Sequence, residues 1–254
     1  MMDPLSEFRL DGEVAVVTGG AAGLGLAVAA AFRAVGAQVA ILDLAASGPD
    51  GFKVDVSDEA QVTSAFEQVA KRYGRLDVLF NNAGIAVRRP TMELSLDDWN
   101  KVVAVNMTGV FLCAREAARH MLASGRGGRI VNTASIMGFS GCGLYPNISY
   151  QATKGAVVNM TRALAIEWAA RGIRVNGIAP TWIRTALTRP LTESPEILRR
   201  IESLTPMGRI GEPNDIVGAV LFLSTRASAL VTGHILAVDG GFMAAGVLFD
   251  PGAA

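Results

Sequence analysis

Cysteine and histidine are nearly missing from this chain, with two of each in 254 residues. Cys113 lies in the apolar stretch VNMTGVFLCAREAARHM and Cys142 in a glycine-rich loop, so a disulfide framework is excluded and both read as free thiols. His120 and His234 are too few and too far apart in sequence to suggest a metal site. Charge is also sparse: Asp, Glu, Lys and Arg make up 18% of the chain, and 23 basic residues cancel 23 acidic ones. That balance, without a long basic run, leaves no electrostatic footprint for nucleic acid or for a membrane surface. No uncharged apolar run reaches the roughly 18 residues needed to span a bilayer. MMDPLSEFRL lacks the basic, then apolar, then small-residue order of a secretion signal, and a soluble cytoplasmic protein is expected. The partner left by these exclusions is a small molecule.

What the chain has in quantity is apolar residues, 50% of the total, arranged in short runs separated by helical stretches. EVAVVTG at Glu13 to Gly19 is a β-branched run ending in glycines, Ala21 to Gly36 reads as a helix closed by Gly36, and AQVAILD follows as a second strand. The alternation continues. FKVDVSD, LDVLFNNAG, GRIVNTAS, IRVNGIAP and HILAVDGG read as strands; Glu59 to Tyr73, Trp99 to Ala123, Tyr150 to Arg171 and Asn214 to Ser224 read as helices. This predicts a single α/β domain over residues 1–254, a doubly wound parallel sheet with helices on both faces, whose ligands lie beyond the carboxyl ends of the strands. The irregular stretch is Thr181 to Glu212. Within it Ser194-Pro195-Glu196 predicts a helix start, after which Ile197, Leu198, Ile201 and Leu204 share a face. A segment so placed is expected to act as a substrate lid.

Two groups of residues carry chemistry. The turn TGGAAGLG, Thr18 to Gly25, follows a strand and opens a helix, the context in which glycines let backbone and helix N-terminus approach a pyrophosphate. Asp43 ends the second strand eighteen residues after Gly25, where a carboxylate accepts hydrogen bonds from ribose hydroxyls and repels a 2′-phosphate. Ala21, Ala22 and Leu44 supply no basic group to hold that phosphate, so NAD is the predicted cofactor. Farther on, Tyr150 and Lys154 stand four residues apart on a predicted helix, on one face, where an ammonium favours the ionised phenol. A tyrosine brought near neutrality asks roughly 4 kcal/mol of its site.

With the NNAG turn at Asn81 to Gly84, Asn106, Ser135 and the strand end at Pro180, these motifs resemble the short-chain dehydrogenase/reductase family from about Leu10 to Phe242. The resemblance implies a Rossmann-like fold, hydride transfer, and a homotetramer. It assigns Tyr150 as acid/base, Lys154 beside it, Ser135 to the substrate oxygen and Asn106 to a water in a proton relay. Gly19, Gly23, Leu24 and Gly25 fall on the cofactor turn, Asp55 and Val56 on the adenine contact, and Asn82, Ala83 and Gly84 on the turn beside adenosine and ribose. Pro180, Ile183 and Thr185 fall on the carboxamide pocket. Thr181 departs from the family, standing where a glycine is usual.

The loop from Gly138 to Ser149 is a couple of residues longer than in many members, and Tyr145 and Asn147 are expected to shape the substrate pocket together with Trp182. Arg88, Arg89, Arg184 and Arg189 lie near the expected mouth, where any of them can meet an anionic substrate. Overall similarity favours polyol and gluconate-type members, hence a sugar alcohol, ketose or sugar acid. A carrier-bound 3-oxoacyl reductase and a non-catalytic nucleotide-binding regulator are the competing readings.

Overall fold

A computed structural model describes residues 4–141 and 143–245; Cys142 and the residues after 245 lie outside them. Seven parallel strands run in the order β3-β2-β1-β4-β5-β6-β7: β1 (Val14–Thr18), β2 (Gln38–Asp43), β3 (Gly51–Lys53), β4 (Val78–Asn81), β5 (Gly128–Thr133), β6 (Ile173–Pro180) and β7 (Ile235–Val238). Successive residues of a strand face opposite sides of the sheet. In β1, Val14 and Val16 therefore enter one core while Ala15 and Val17 enter the other. The first core is roofed by α2 (Glu59–Tyr73), α4 (Gly109–Ala123) and α5 (Ile148–Trp168), which contribute Phe66, Cys113, Met121 and Trp168. Across the sheet, α1 (Gly23–Ala34) and α8 (Pro213–Ser224) contribute Val28, Phe32, Ile216 and Val220. Burial on both faces explains why the strands are apolar at nearly every position.

The predicted order of elements is recovered, with two differences. FKVDVSD pairs with β2 only at its start, within the strand Gly51–Lys53 and through Val54 N donating to Asp43 O, while the Val54 and Val56 side chains turn into the core. The helix predicted from Trp99 to Ala123 is three pieces. Ser95 caps α3 (Leu96–Val103), accepting from Asp98 N at 3.1 Å; a π-helical turn occupies Ala104–Thr108, and α4 follows. An inserted π turn is commonly found where a helix side chain must be redirected. Here it carries Asn106, whose amide is tied to both backbone groups of Ile85.

The segment 181–212 is stitched at its base and packed over the loops that leave β5 and β6. Arg184 N donates to Gly211 O at 2.9 Å and Gly211 N to Trp182 O at 3.0 Å, closing the excursion on itself. Ser194 caps α7 (Pro195–Leu204), as its sequence predicts, with α6 (Arg189–Thr192) before it. Ile201 is fully buried in a small separate core with Ile136, Met137, Trp182, Leu191 and Ile210, and Ile197 and Leu198 pack against it. Leu204, predicted on that face, is instead about one-third exposed, because the helix ends at its turn. At the other margin of the sheet, β7 is an edge strand with its residues half-buried or exposed. Among the described residues no helix is long and apolar enough to cross a membrane.

Candidate active site

Strand order reverses direction between β1 and β4, and the crevice that opens beyond their carboxyl ends is where doubly wound sheets hold ligands. A cleft of about 300 Å³ lies there. Its floor comes from Gly19, Ala22, Gly23 and Leu24 after β1, its far end from Asp43, and its walls from Asn82, Ala83 and Gly84 after β4. Thr133 to Ser135 after β5, Tyr150 and Lys154 on α5, and Pro180, Thr181, Ile183 and Thr185 after β6 complete it.

Each glycine of the turn has its own constraint. Gly19 and Gly23 have φ of +64° and +54°, a conformation side chains rarely adopt. Gly25 does not line the cleft; a Cβ there would stand 2.1 Å from the Gly19 carbonyl oxygen, so only glycine lets α1 start this close to the turn. Asn82 laces β4 to β1, its Nδ2 donating to the carbonyls of Thr18 and Gly19, while Thr18 Oγ1 accepts from the Asn82 and Ala83 amides at 2.9 and 3.1 Å. The Asp43 carboxylate is fixed by two backbone donors, Ala21 N at 3.1 Å and Ala45 N at 2.9 Å, and faces the cleft with acceptor capacity to spare. The open backbone of this turn and the carboxylate beyond it fit the pyrophosphate and ribose of a dinucleotide.

Besides Gly25, four predicted residues stand off the cleft's lining. Leu44 is exposed beside Asp43. The Asp55 carboxylate accepts from Ser57 N at 2.9 Å and Ser57 Oγ at 2.6 Å, capping the turn before α2, and Val56 is buried against Gly109. Asn106 is also buried away from the cleft. Its Oδ1 accepts from Ile85 N at 2.9 Å, and its Nδ2 donates to Ile85 O at 2.9 Å and to Thr153 Oγ1 at 3.3 Å, so the side chain clamps the chain after the NNAG turn onto α5.

Tyr150, Lys154 and Ser135 come together on the cleft wall. Lys154 is buried, its Nζ 5.4 Å from the centre of the Tyr150 ring, and donates to Thr133 O at 2.5 Å. Burial depresses its pKa to about 8. Burial likewise pushes the Tyr150 phenol above its ordinary value, against the pull of a hydrogen bond with Ser135 and the charge of Arg88. The sequence assigns a downward pull on the phenol to Lys154; in the structure Ser135 and Arg88 pull in that direction too. Ser135, in extended backbone, accepts from Met137 N at 3.1 Å, which fixes the hydroxyl at the start of its turn. Of the nearby serines, Ser140 Oγ donates to Ile136 O at 3.2 Å and Ser149 is fully buried.

Beyond Ser135 and Tyr150 the cleft leads to a side chamber lined by Arg88, Met137, Tyr145, Asn147, Thr181 and Trp182. Trp182 Nε1 donates to Tyr145 Oη at 2.7 Å and its ring meets Phe242 edge-on at 5.4 Å. The four arginines near the mouth separate here. Arg89 pairs with Asp98 and Arg184 with Glu212, Arg189 is exposed on α6, and Arg88 lines the chamber. Leu187 and Thr188 of the lid segment also line the site, together with Thr133, Ala134 and Ala186, which no sequence motif marks. Thr188 Oγ1 donates to Ile183 O at 2.6 Å, a local turn bond of the kind threonine makes.

A family model described as enoyl-(acyl carrier protein) reductase matches residues 19–243. Galactitol 2-dehydrogenase (L-tagatose-forming) of Cereibacter sphaeroides is 42% identical over 253 residues, covering 95% of this chain and 99% of its own. Among solved structures, a short-chain type dehydrogenase/reductase from Mycobacterium marinum superposes with a TM-score of 0.91 at 33% identity, over 96% of this chain and all of the other. A gluconate 5-dehydrogenase from Burkholderia cenocepacia, in complex with NADP and tartrate, also gives a TM-score of 0.91, at 37% identity and over 96% of this chain and 100% of its own.

Proposed function

The chain belongs to the short-chain dehydrogenase/reductase family, and from that premise we propose that it transfers a hydride between NAD and a secondary alcohol or ketone of a small polyhydroxylated substrate, a sugar alcohol, ketose or sugar acid. The observation that carries this reading is one continuous cleft holding both the glycine turn and the Ser135–Tyr150–Lys154 group. Gly19 to Leu24 would hold the pyrophosphate, Asp43 the adenosine ribose, and Pro180, Ile183 and Thr185 the carboxamide side. When bound, the nicotinamide ring supplies the hydride acceptor and, oxidised, a positive charge.

Tyr150 takes the hydroxyl proton in oxidation and returns it in reduction. Ser135 holds the same oxygen and lowers the cost of ionising the phenol. Lys154, fixed by the Thr133 carbonyl, keeps a positive charge beside the ring below about pH 8. Asn106 holds the backbone after β4 against α5, which keeps the two walls at a fixed separation. The segment 181–212, closed at its base and packed on its own small core, is suited to cover the substrate as a lid.

NAD is favoured over NADP by the fixed Asp43 carboxylate and by the lack of a basic residue at Ala21, Ala22 or Leu44. The NADP bound to the Burkholderia cenocepacia relative makes the cofactor a question to be measured. A panel of polyols and sugar acids followed by reduced-cofactor absorbance, with NAD and NADP in parallel, tests the whole reading. Turnover of polyhydroxylated substrates is expected, with NAD better by about tenfold in kcat/KM. Aliphatic 3-hydroxyacyl thioesters outperforming every sugar derivative would replace the substrate class and leave the hydride chemistry standing.

A further inference from the structure

The side chamber holds polar atoms that no group among the described residues satisfies. Arg88 Nε, Asn147 Oδ1 and Thr181 Oγ1 are each buried from solvent without a hydrogen-bond partner, and all three residues line the same space as Ser135 and Tyr150. Asn147 is itself 3% exposed. Orphaned buried donors and acceptors are expensive, and their clustering in one chamber marks the shape of a missing ligand. Among its described lining residues the chamber has one cation and no carboxylate; Asp43, the acidic residue lining the main cleft, stands at the far end of that cleft. Arg88 is held in place by bonds that leave its charge uncancelled. Its Nη2 donates to Leu187 O at 3.1 Å, and its guanidinium lies 5.5 Å from the centre of the Tyr145 ring. No carboxylate among the described residues pairs with it, whereas neighbouring Arg89 has Asp98. Its field nonetheless reaches Tyr150, whose phenol it helps to ionise.

We propose that Arg88, flanked by Asn147 and Thr181, is a carboxylate-binding end of the substrate chamber, so that the preferred substrates are hydroxy acids and not the corresponding neutral polyols. This rests on the dehydrogenase reading of the enclosing cleft. A carboxylate satisfies the guanidinium's free donors as a charged, directional pair, and Asn147 Oδ1 and the Thr181 hydroxyl take hydroxyl groups along the same chain. The carboxylate is a handle and is unchanged in the reaction. The carbon presented to Ser135 and Tyr150 is the one that loses hydride and whose hydroxyl proton passes to Tyr150.

The experiment compares gluconate with its neutral counterpart glucitol, in turnover and in calorimetric binding to the protein loaded with reduced cofactor. The wild-type protein is expected to favour gluconate by about tenfold or more in both. Arg88→Met should remove that preference, mainly by raising the KM for gluconate, and Arg88→Lys should restore part of it. Asn147→Asp, nearly isosteric, should weaken gluconate selectively by placing a negative charge beside the carboxylate. Glucitol binding as tightly as gluconate, or Arg88→Met lowering both substrates equally with cofactor binding intact, would overturn the proposal. Absence of turnover with either compound, beside selective gluconate binding, would instead reject the dehydrogenase reading and leave the carboxylate site in place.

Discussion

Tyr150 and Lys154 share a buried wall whose low polarity works against both of their charged forms, and this sets what their removal should do. Tyr150→Phe keeps the ring's packing and deletes the proton carrier, so turnover should fall by at least about a hundredfold while reduced-cofactor binding, read by fluorescence, stays near wild type. More than a few per cent of residual rate would reassign the acid/base. Lys154 yields a stability prediction as well. Its folded pKa of about 8 lies below the ordinary 10.5, so the folded protein carries the full cost of the buried ammonium at neutral pH and is relieved of it as pH rises from about 8 to 10. Lys154→Met should therefore be nearly inactive yet more stable at pH 7, by about 2 kcal/mol, with the gain shrinking toward pH 10. Denaturant unfolding at pH 7 and pH 10 checks both sign and trend. The Tyr-Lys pair was legible in the sequence because helical spacing alone makes it. Arg88 was not separable from Arg89, Arg184 and Arg189, since what distinguishes it is the whereabouts of Asp98 and Glu212, which are distant in sequence or in another element.

At the level of elements, the β1–α1 junction is the least forgiving part of the cleft. A methyl group on Gly25 must displace either the Gly19 carbonyl or the Asn82 amide 2.7 Å away, and both belong to the turn that would hold the pyrophosphate. Gly25→Ala is expected to lower NADH affinity by tenfold or more, about 1.4 kcal/mol, through a shifted turn; calorimetry showing unchanged affinity would mean the helix can retreat. Gly218→Ala is the control, because nothing stands within contact distance of that position. Strands and helices were legible from their periods. The π-helical turn at Ala104–Thr108 was not, because the cause of the extra residue is a tertiary tie from Asn106 to Ile85 and Thr153 that no local pattern carries. The bounds of β3 were overextended for a similar reason. Val54 and Val56 are apolar because they enter the core beside α2, and their alternation imitates a strand.

For the molecule as a whole, the expected assembly is a homotetramer. Ile166 on α5 is 81% exposed and Phe111 on α4 is 42% exposed, apolar surface on helices that otherwise face the core. Light scattering at micromolar concentration should give about four times the chain mass of 26.6 kDa, and a monomer would reject the assembly. The apolar residues that follow β7 in sequence continue beyond residue 245, outside the described structure.

The edge strand β7 bears on the same question through its unpaired side. Among the described residues the sheet ends at Ile235–Val238 in a row of backbone groups with a half-covered apolar lining, which is a template for any further strand that meets it. A second copy seated there would close the row, and a dilute chain would leave it open to indiscriminate additions. Melting temperature should therefore climb with protein concentration, and losses on storage should be worst in dilute samples, the reverse of the behaviour of a protein whose aggregation begins with crowding.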